Sequence, residues 1–186
     1  MNYFIRSHKR RNFTLEKDGV TLFEVNFPSW AKTEATIQTA EATYYLKKRK
    51  WYSRSFTIIR NRMAIGEISS NWKGHFLFKL SATTAKEAAF VPSNLDMDNA
   101  NMNWQGKEMV TYTMKNKGMF KPKLVIYKNK EPRPMLTLHT EKNWFKVNYR
   151  IDIHYPDRAI LPIEELLGLF GFGAVLVRMR RAAAAS

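Results

Sequence analysis

Four adjacent cations, Lys47-Lys48-Arg49-Lys50, followed by Trp51, Tyr52 and Arg54, form the densest cluster of charged and aromatic side chains in the sequence. Ammonium and guanidinium groups attract phosphate and other anions. A tryptophan beside them suits the polar layer of a membrane or the face of a nucleic-acid base. Lys47, Lys48, Arg49, Lys50, Trp51 and Arg54 are therefore the candidate ligand-binding set. An anionic membrane surface or a phosphorylated lipid headgroup is the first expectation for the ligand, and nucleic acid is the alternative. A solvated hairpin tip would use the same residue types.

Three other basic clusters compete with this one. His8-Lys9-Arg10-Arg11 reads as a mobile arm, and Lys115, Lys117, Lys121 and Lys123 straddle a turn at Gly118. Arg178, Arg180 and Arg181 close an apolar stretch, where they suit the negative pole of a helix. The 47–54 set is expected to dominate binding, and the 115–123 set to matter far less.

Metal and catalytic chemistry find little to use. The acidic stretch 96–103 has the look of a calcium loop, but Ala100 holds its third ligand position and Asn101 replaces the turn glycine. Lys107 stands where a bidentate glutamate belongs. Asp152 and His154 share a strand face, which solvation explains as well as ligation. There is no cysteine, hence no disulfide, thiolate site or cysteine nucleophile. Four scattered histidines offer no evident general base, and Gly168, Gly171 and Gly173 have the wrong order for a dinucleotide fingerprint. The expectation is no enzyme and no cofactor.

The balance of 31 basic against 16 acidic residues gives a net charge of +15. Such a field draws polyanions, or simply keeps a protein in solution. No apolar leader opens the sequence and thiols are absent, so the cytoplasm is the expected compartment, peripheral to a membrane if a headgroup is the ligand.

The elements that would position these groups are a helix and many strands. From Leu166 to Val177 no residue is polar, so a helix there has no face for water. Pro162, Glu164 and Glu165 mark its start. The wholly apolar part covers only about 18 Å at ~1.5 Å per residue, short of the roughly 30 Å of a bilayer core. The helix, placed over 161–181, is therefore expected to be enclosed by protein, with its three glycines admitting close walls.

Before residue 157 nearly everything reads as short strands. Residues 13–17 and 20–27 flank Asp18-Gly19, a hairpin signal. Strands follow around 35–37, 42–46, 53–60, 63–70, 75–80, 107–114, 119–128 and 135–140. Residues 84–90 read as an alanine-rich helical turn and 92–103 as a polar loop. From Phe145 to Tyr155 apolar and polar residues alternate without fault. Residues 56–62 echo 124–130, and an Asn-Trp pair follows each, which a duplication or chance would explain equally. About twelve antiparallel strands with one apolar face, plus one all-apolar helix, predict a mainly β, single-domain closed barrel over 1–186 with the helix in its lumen.

With about twelve strands before one hydrophobic C-terminal helix, and the strand–turn–strand unit 56–80, the chain resembles the tubby C-terminal-like superfamily. That group includes tubby, the phospholipid scramblases and the LURP-one-related proteins. The resemblance covers most of the chain and lies in plan, not in a signature motif. It implies a helix threaded through a closed barrel and a non-catalytic binding module. Tubby-like domains bind phosphoinositides through surface lysine and arginine, so a phosphoinositide-like headgroup is the implied partner, with no site carried over residue by residue. The scramblases' cysteine-rich stretch and terminal membrane segment have no counterpart here, and no transmembrane segment is expected.

Overall fold

The computed structural model describes residues 2–8, 12–27, 34–39, 41–48, 53, 55–60, 62–71, 74–81, 89–90, 108–118, 122–143 and 146–184. Its strands are β1 (Tyr3–Ser7), β2 (Phe13–Lys17), β3 (Val20–Asn26), β4 (Ala35–Gln38), β5 (Thr43–Lys48), β6 (Phe56–Arg60), β7 (Met63–Ser70) and β8 (Phe76–Ser81). They continue with β9 (Ala89–Phe90), β10 (Met109–Lys117), β11 (Lys123–Lys128), β12 (Leu136–Asn143) and β13 (Lys146–Ile153). A 3-10 turn at Pro156–Arg158 leads to the helix α1 (Ile163–Ala184).

Every strand pairing is antiparallel. The order runs β6-β5-β4-β3-β2-β1-β13-β12-β11-β10-β8-β7, and a further β6–β7 pairing closes the ring. The result is a closed barrel of twelve strands around a single C-terminal helix, as the alternation and the apolar run predict. β9 is an addition, held by Ala64↔Ala89 and Met63↔Phe90 on one end of β7. It corrects the helical-turn reading at its end of 84–90: ladder bonds to β7 outweigh alanine's helix preference there. The polar loop at 92–103 and its calcium-like stretch lie outside the described residues.

The helix fills the lumen. Leu166, Leu167, Leu169, Phe170, Phe172 and Ala174 are all 0% exposed, as a helix with no polar face requires. Aromatic contacts reach it from several sides. Phe172 stacks on Phe27 at 5.7 Å and meets Phe56 edge-on at 5.2 Å, while Phe170 meets Phe78 at 5.1 Å and Tyr112 at 5.6 Å. The glycines let the walls come this close. A Cβ at Gly171 would sit 2.5 Å from Phe13, and one at Gly173 would sit 2.6 Å from Phe78. The close packing offsets the roughly 1 kcal/mol that each glycine costs a helix relative to alanine.

The echo noticed in the sequence is one part of a threefold pattern. The strands group as β1–β4, β5–β8 and β10–β13, and each group opens on the same pair. Tyr3 pairs with Lys17, Ile5 with Leu15 and Ser7 with Phe13. Tyr44 pairs with Arg60, Leu46 with Ile58 and Lys48 with Phe56. Tyr112 pairs with Lys128, Met114 with Ile126 and Asn116 with Leu124. In each group a tyrosine lies opposite a cation, and that cation leads into a turn containing a left-handed residue. Those residues are Asp18 and Gly19 (φ 49° and 87°), Arg62 (φ 67°) and Asn129 (φ 50°). The first two groups also share a register shift at matching points, Leu15/Glu16 and Ile58/Ile59.

Candidate functional site

The two mouths of the barrel differ in chemistry, and the helix shows which is which. Its first turn is clamped twice. Tyr3 donates its hydroxyl to Glu164 Oε1 at 2.6 Å, and Lys17 Nζ donates to the same oxygen at 3.2 Å. On another wall Tyr44 donates its hydroxyl to Glu165 Oε2, and Arg60 Nη2 donates to Glu165 Oε1 at 3.3 Å. Each clamp uses the cross-strand tyrosine–cation pair of one repeat. The third repeat differs: Tyr112 accepts the Ile160 backbone N–H at 3.3 Å.

The clamps sit at different depths. Glu165 is 3% exposed, whereas the Glu164 side chain is 30% exposed. Burial, and then the Glu165 carboxylate, push the Tyr44 hydroxyl far above its ordinary value, so it stays a donor. Burial raises the Glu164 carboxyl, but the hydrogen bonds from Tyr3 and Lys17 outweigh it and hold it below the usual value of 4.5. Arg60 Nε is buried without a hydrogen-bond partner among the described residues. A pocket of about 240 Å³ opens beside the clamps, against Leu22, Phe23, Glu41 and Pro162. Glu164 and Glu165 on its wall are already bonded to tyrosine and cation.

The opposite mouth is basic. Arg178 donates to Ser7 Oγ at 3.3 Å, and Arg180 donates to Ser70 Oγ at 2.9 Å while lying 4.6 Å over the Phe76 ring. Ser7, Ser70 and Phe76 thus mark this end of β1, β7 and β8. By register, β5 finishes here at Lys47 and Lys48, β10 finishes at Lys117, and β11 begins at Lys123. The described members of the 47–54 and 115–123 clusters therefore face the same way as the helix arginines. Lys47 is exposed, whereas Lys48 lies in the inward column with Tyr44 and Leu46, its Nζ 5.9 Å from the Phe56 ring. The expected run of four is thus split between faces at its first two members. Arg49, Lys50, Trp51 and Arg54, like Lys9, Arg10, Arg11 and Lys121, lie outside the described residues.

Lys115 and Lys117 flank one ring, at 4.9 and 5.3 Å from the Tyr127 centroid, and Lys117 Nζ donates to Tyr127 Oη at 2.7 Å. Among the described residues Lys47, Lys115, Lys117, Lys123 and Arg178 form no ion pair. The described carboxylates toward this mouth are Glu24, Glu34, Glu67 and Glu141, outnumbered by the cations. At the clamped mouth Asp18, Glu41, Glu108, Glu131, Asp157, Glu164 and Glu165 are nearly matched by Lys17, Arg60, Arg62, Lys128, Lys130 and Arg133. Among the described residues the excess of positive charge therefore lies at the basic mouth.

Asp152 is held by His139 Nε2 at 2.8 Å, and His154 Nε2 lies 3.2 Å from Thr137 Oγ1. The two side chains expected to share a face have separate partners. Among the described residues no cluster of His, Cys, Asp and Glu could hold a metal ion, and no helix is long and apolar enough to cross a membrane. Compared with protein-family models, curated proteins and solved structures, the chain has no match, and the geometry carries the functional reading.

Proposed function

We propose that this chain is a non-catalytic binding module, a tubby-like barrel that docks on an anionic membrane surface with its basic mouth first. One observation carries the reading. Lys47, Lys117, Lys123 and Arg178, from three separate basic clusters, come to a single end of a closed barrel, where the described cations outnumber the described carboxylates. A flat anionic surface meets such a rim all at once. The binding energy then comes from many exposed cations, each worth about 1 kcal/mol near a negatively charged leaflet.

This arrangement revises the sequence-based ranking of the clusters. Because β5 and the β10–β11 hairpin end at the same mouth, their lysines are expected to count alike. Lys47→Gln/Lys48→Gln and Lys117→Gln/Lys123→Gln should each weaken co-sedimentation with phosphatidylserine vesicles at physiological salt by roughly thirtyfold, from ~2 kcal/mol per pair. Arg62→Gln/Arg150→Gln removes the same charge away from the rim and should change binding less than threefold. Equal losses from all three pairs would mean diffuse attraction by net charge. If the wild type shifted single-stranded nucleic acid steeply with salt and ignored the vesicles, the partner would be nucleic acid.

A further inference from the structure

The pocket of about 240 Å³ at the clamped mouth is built by three elements that the barrel brings together. Leu22 and Phe23 come from β3, Thr39 and Glu41 from the connection between β4 and β5, and Pro162, Glu164 and Glu165 from the head of the helix. Its walls are preformed. The Phe23 ring packs against the helix at Gly168, where an added Cβ would lie 3.0 Å from it. In the β4–β5 connection the Thr39 backbone N–H donates to the Ala42 carbonyl at 2.9 Å, and the Thr39 hydroxyl donates to the same oxygen at 3.0 Å. The Ala42 N–H donates back to Thr39 Oγ1 at 3.0 Å. These bonds close the turn that carries Glu41.

The side chains of this wall offer hydrocarbon and acceptors. Leu22, Phe23 and Pro162 supply the apolar surface, and the Thr39 hydroxyl has given its proton to Ala42. An ionised carboxylate accepts hydrogen bonds and cannot donate. Both clamp bonds on Glu164 end at Oε1, so Oε2 keeps accepting capacity. Glu41 is exposed and forms no ion pair among the described residues. Lys17 and Arg60 compensate Glu164 and Glu165, which leaves one negative charge on the wall, that of Glu41. The excess of cations lies at the opposite mouth, and its field is screened beyond a Debye length of ~8–10 Å at physiological salt.

We infer that this pocket binds a small primary amine, a monocation with a compact apolar body. The apolar walls take the body, and Glu41 takes the ammonium group, whose three N–H donors find a further acceptor in Glu164 Oε2. One uncompensated carboxylate calls for one positive charge. Size limits the body: a cavity of about 150 Å³ holds benzene, so about 240 Å³ leaves room for a ring with a short side chain. A carboxylate ligand would meet three carboxylates, and a neutral ligand would leave Glu41 without a counter-charge. The pocket uses no rim residue, so this reading and the membrane dock fail separately.

The test is calorimetric titration of the full chain with phenethylamine, beside phenethyl alcohol and phenylacetate, which keep the ring but are neutral and anionic. The amine should bind saturably at one site, the alcohol at least tenfold more weakly, and phenylacetate not measurably. Glu41→Gln should weaken the amine at least tenfold, leave the alcohol within threefold and keep the thermal transition. Glu24→Gln removes the same charge toward the other mouth and should leave the amine within threefold. Leu22→Trp, which fills the apolar end, should abolish binding of both amine and alcohol. No saturable binding of the amine, equal affinity for the three compounds, or equal losses in Glu41→Gln and Glu24→Gln would overturn the assignment.

Discussion

A chain ending at Glu165 is expected to be insoluble or molten, with no sharp thermal transition. Leu166, Leu167, Leu169, Phe170, Phe172 and Leu176 are each at most 5% exposed, and all are lost in that truncation. Burying one such side chain is worth about 1.5–3 kcal/mol, so six amount to ~9–18 kcal/mol, against the ~5–15 kcal/mol that holds a typical domain folded. The walls suffer as well, because Phe13, Phe27, Phe56, Phe78 and Tyr112 pack on the helix or its glycines. Ending the chain after Met179 keeps those six residues and should leave a cooperative transition. A soluble protein with a sharp transition from the shorter chain would make the helix an accessory and the barrel self-supporting.

The second large effect is expected at the deeper clamp. Glu165→Ala leaves the Tyr44 hydroxyl and the Arg60 guanidinium without their shared acceptor, at a site where Tyr44 is 0% and Glu165 3% exposed. Breaking a buried pair by removing one partner costs about 3–5 kcal/mol, because the surviving groups stay desolvated. Glu164→Ala removes the same number of partners, Tyr3 and Lys17, but its side chain is 30% exposed and water can replace it. Its loss is expected to be near 1 kcal/mol. Urea unfolding of the two variants separates the cases, and equal destabilisation would refute the difference in depth. Glu165→Gln, which keeps an acceptor for Tyr44, should recover part of the loss.

The helix and most strands were legible because their signals are local. Twelve consecutive residues from Leu166 to Val177 without a polar side chain admit few fates, and Phe76, Phe78 and Leu80 or Tyr149 and Ile151 declare an inner face by alternation. The threefold repeat was half legible. Residues 56–62 echo 124–130 in the sequence, although Val125 is apolar where Thr57 is polar, and Phe13-Thr14-Leu15 is too short a match to Phe56-Thr57-Ile58 to add the third member. The repeat becomes plain in the strand register, where each tyrosine faces its cation.

The clamps were not legible, since Tyr3 lies 161 residues from Glu164 and Tyr44 lies 121 from Glu165. A hint was present: two adjacent glutamates at the head of an enclosed helix need partners, and an inward-facing tyrosine opposite a cation can supply one. The basic clusters themselves were read from composition, but their convergence was not. In an up-and-down barrel, successive connections fall at alternate mouths, so an error of one strand sends a cluster to the wrong end. The short β4 and the two-residue β9 are where such a count slips.

Because the chain has no cysteine, single labels can be placed without background, and they test the rim-first dock most directly. Asn116→Cys puts a fluorophore at the exposed end of β10 on the basic mouth, and Val20→Cys puts one at the other mouth, where the native side chain is 66% exposed. On binding phosphatidylserine vesicles that carry a lipid-bound quencher, the label at position 116 should be quenched and the label at position 20 should not. Quenching at position 20 alone, or equally at both, would contradict a barrel that meets the membrane by its basic mouth.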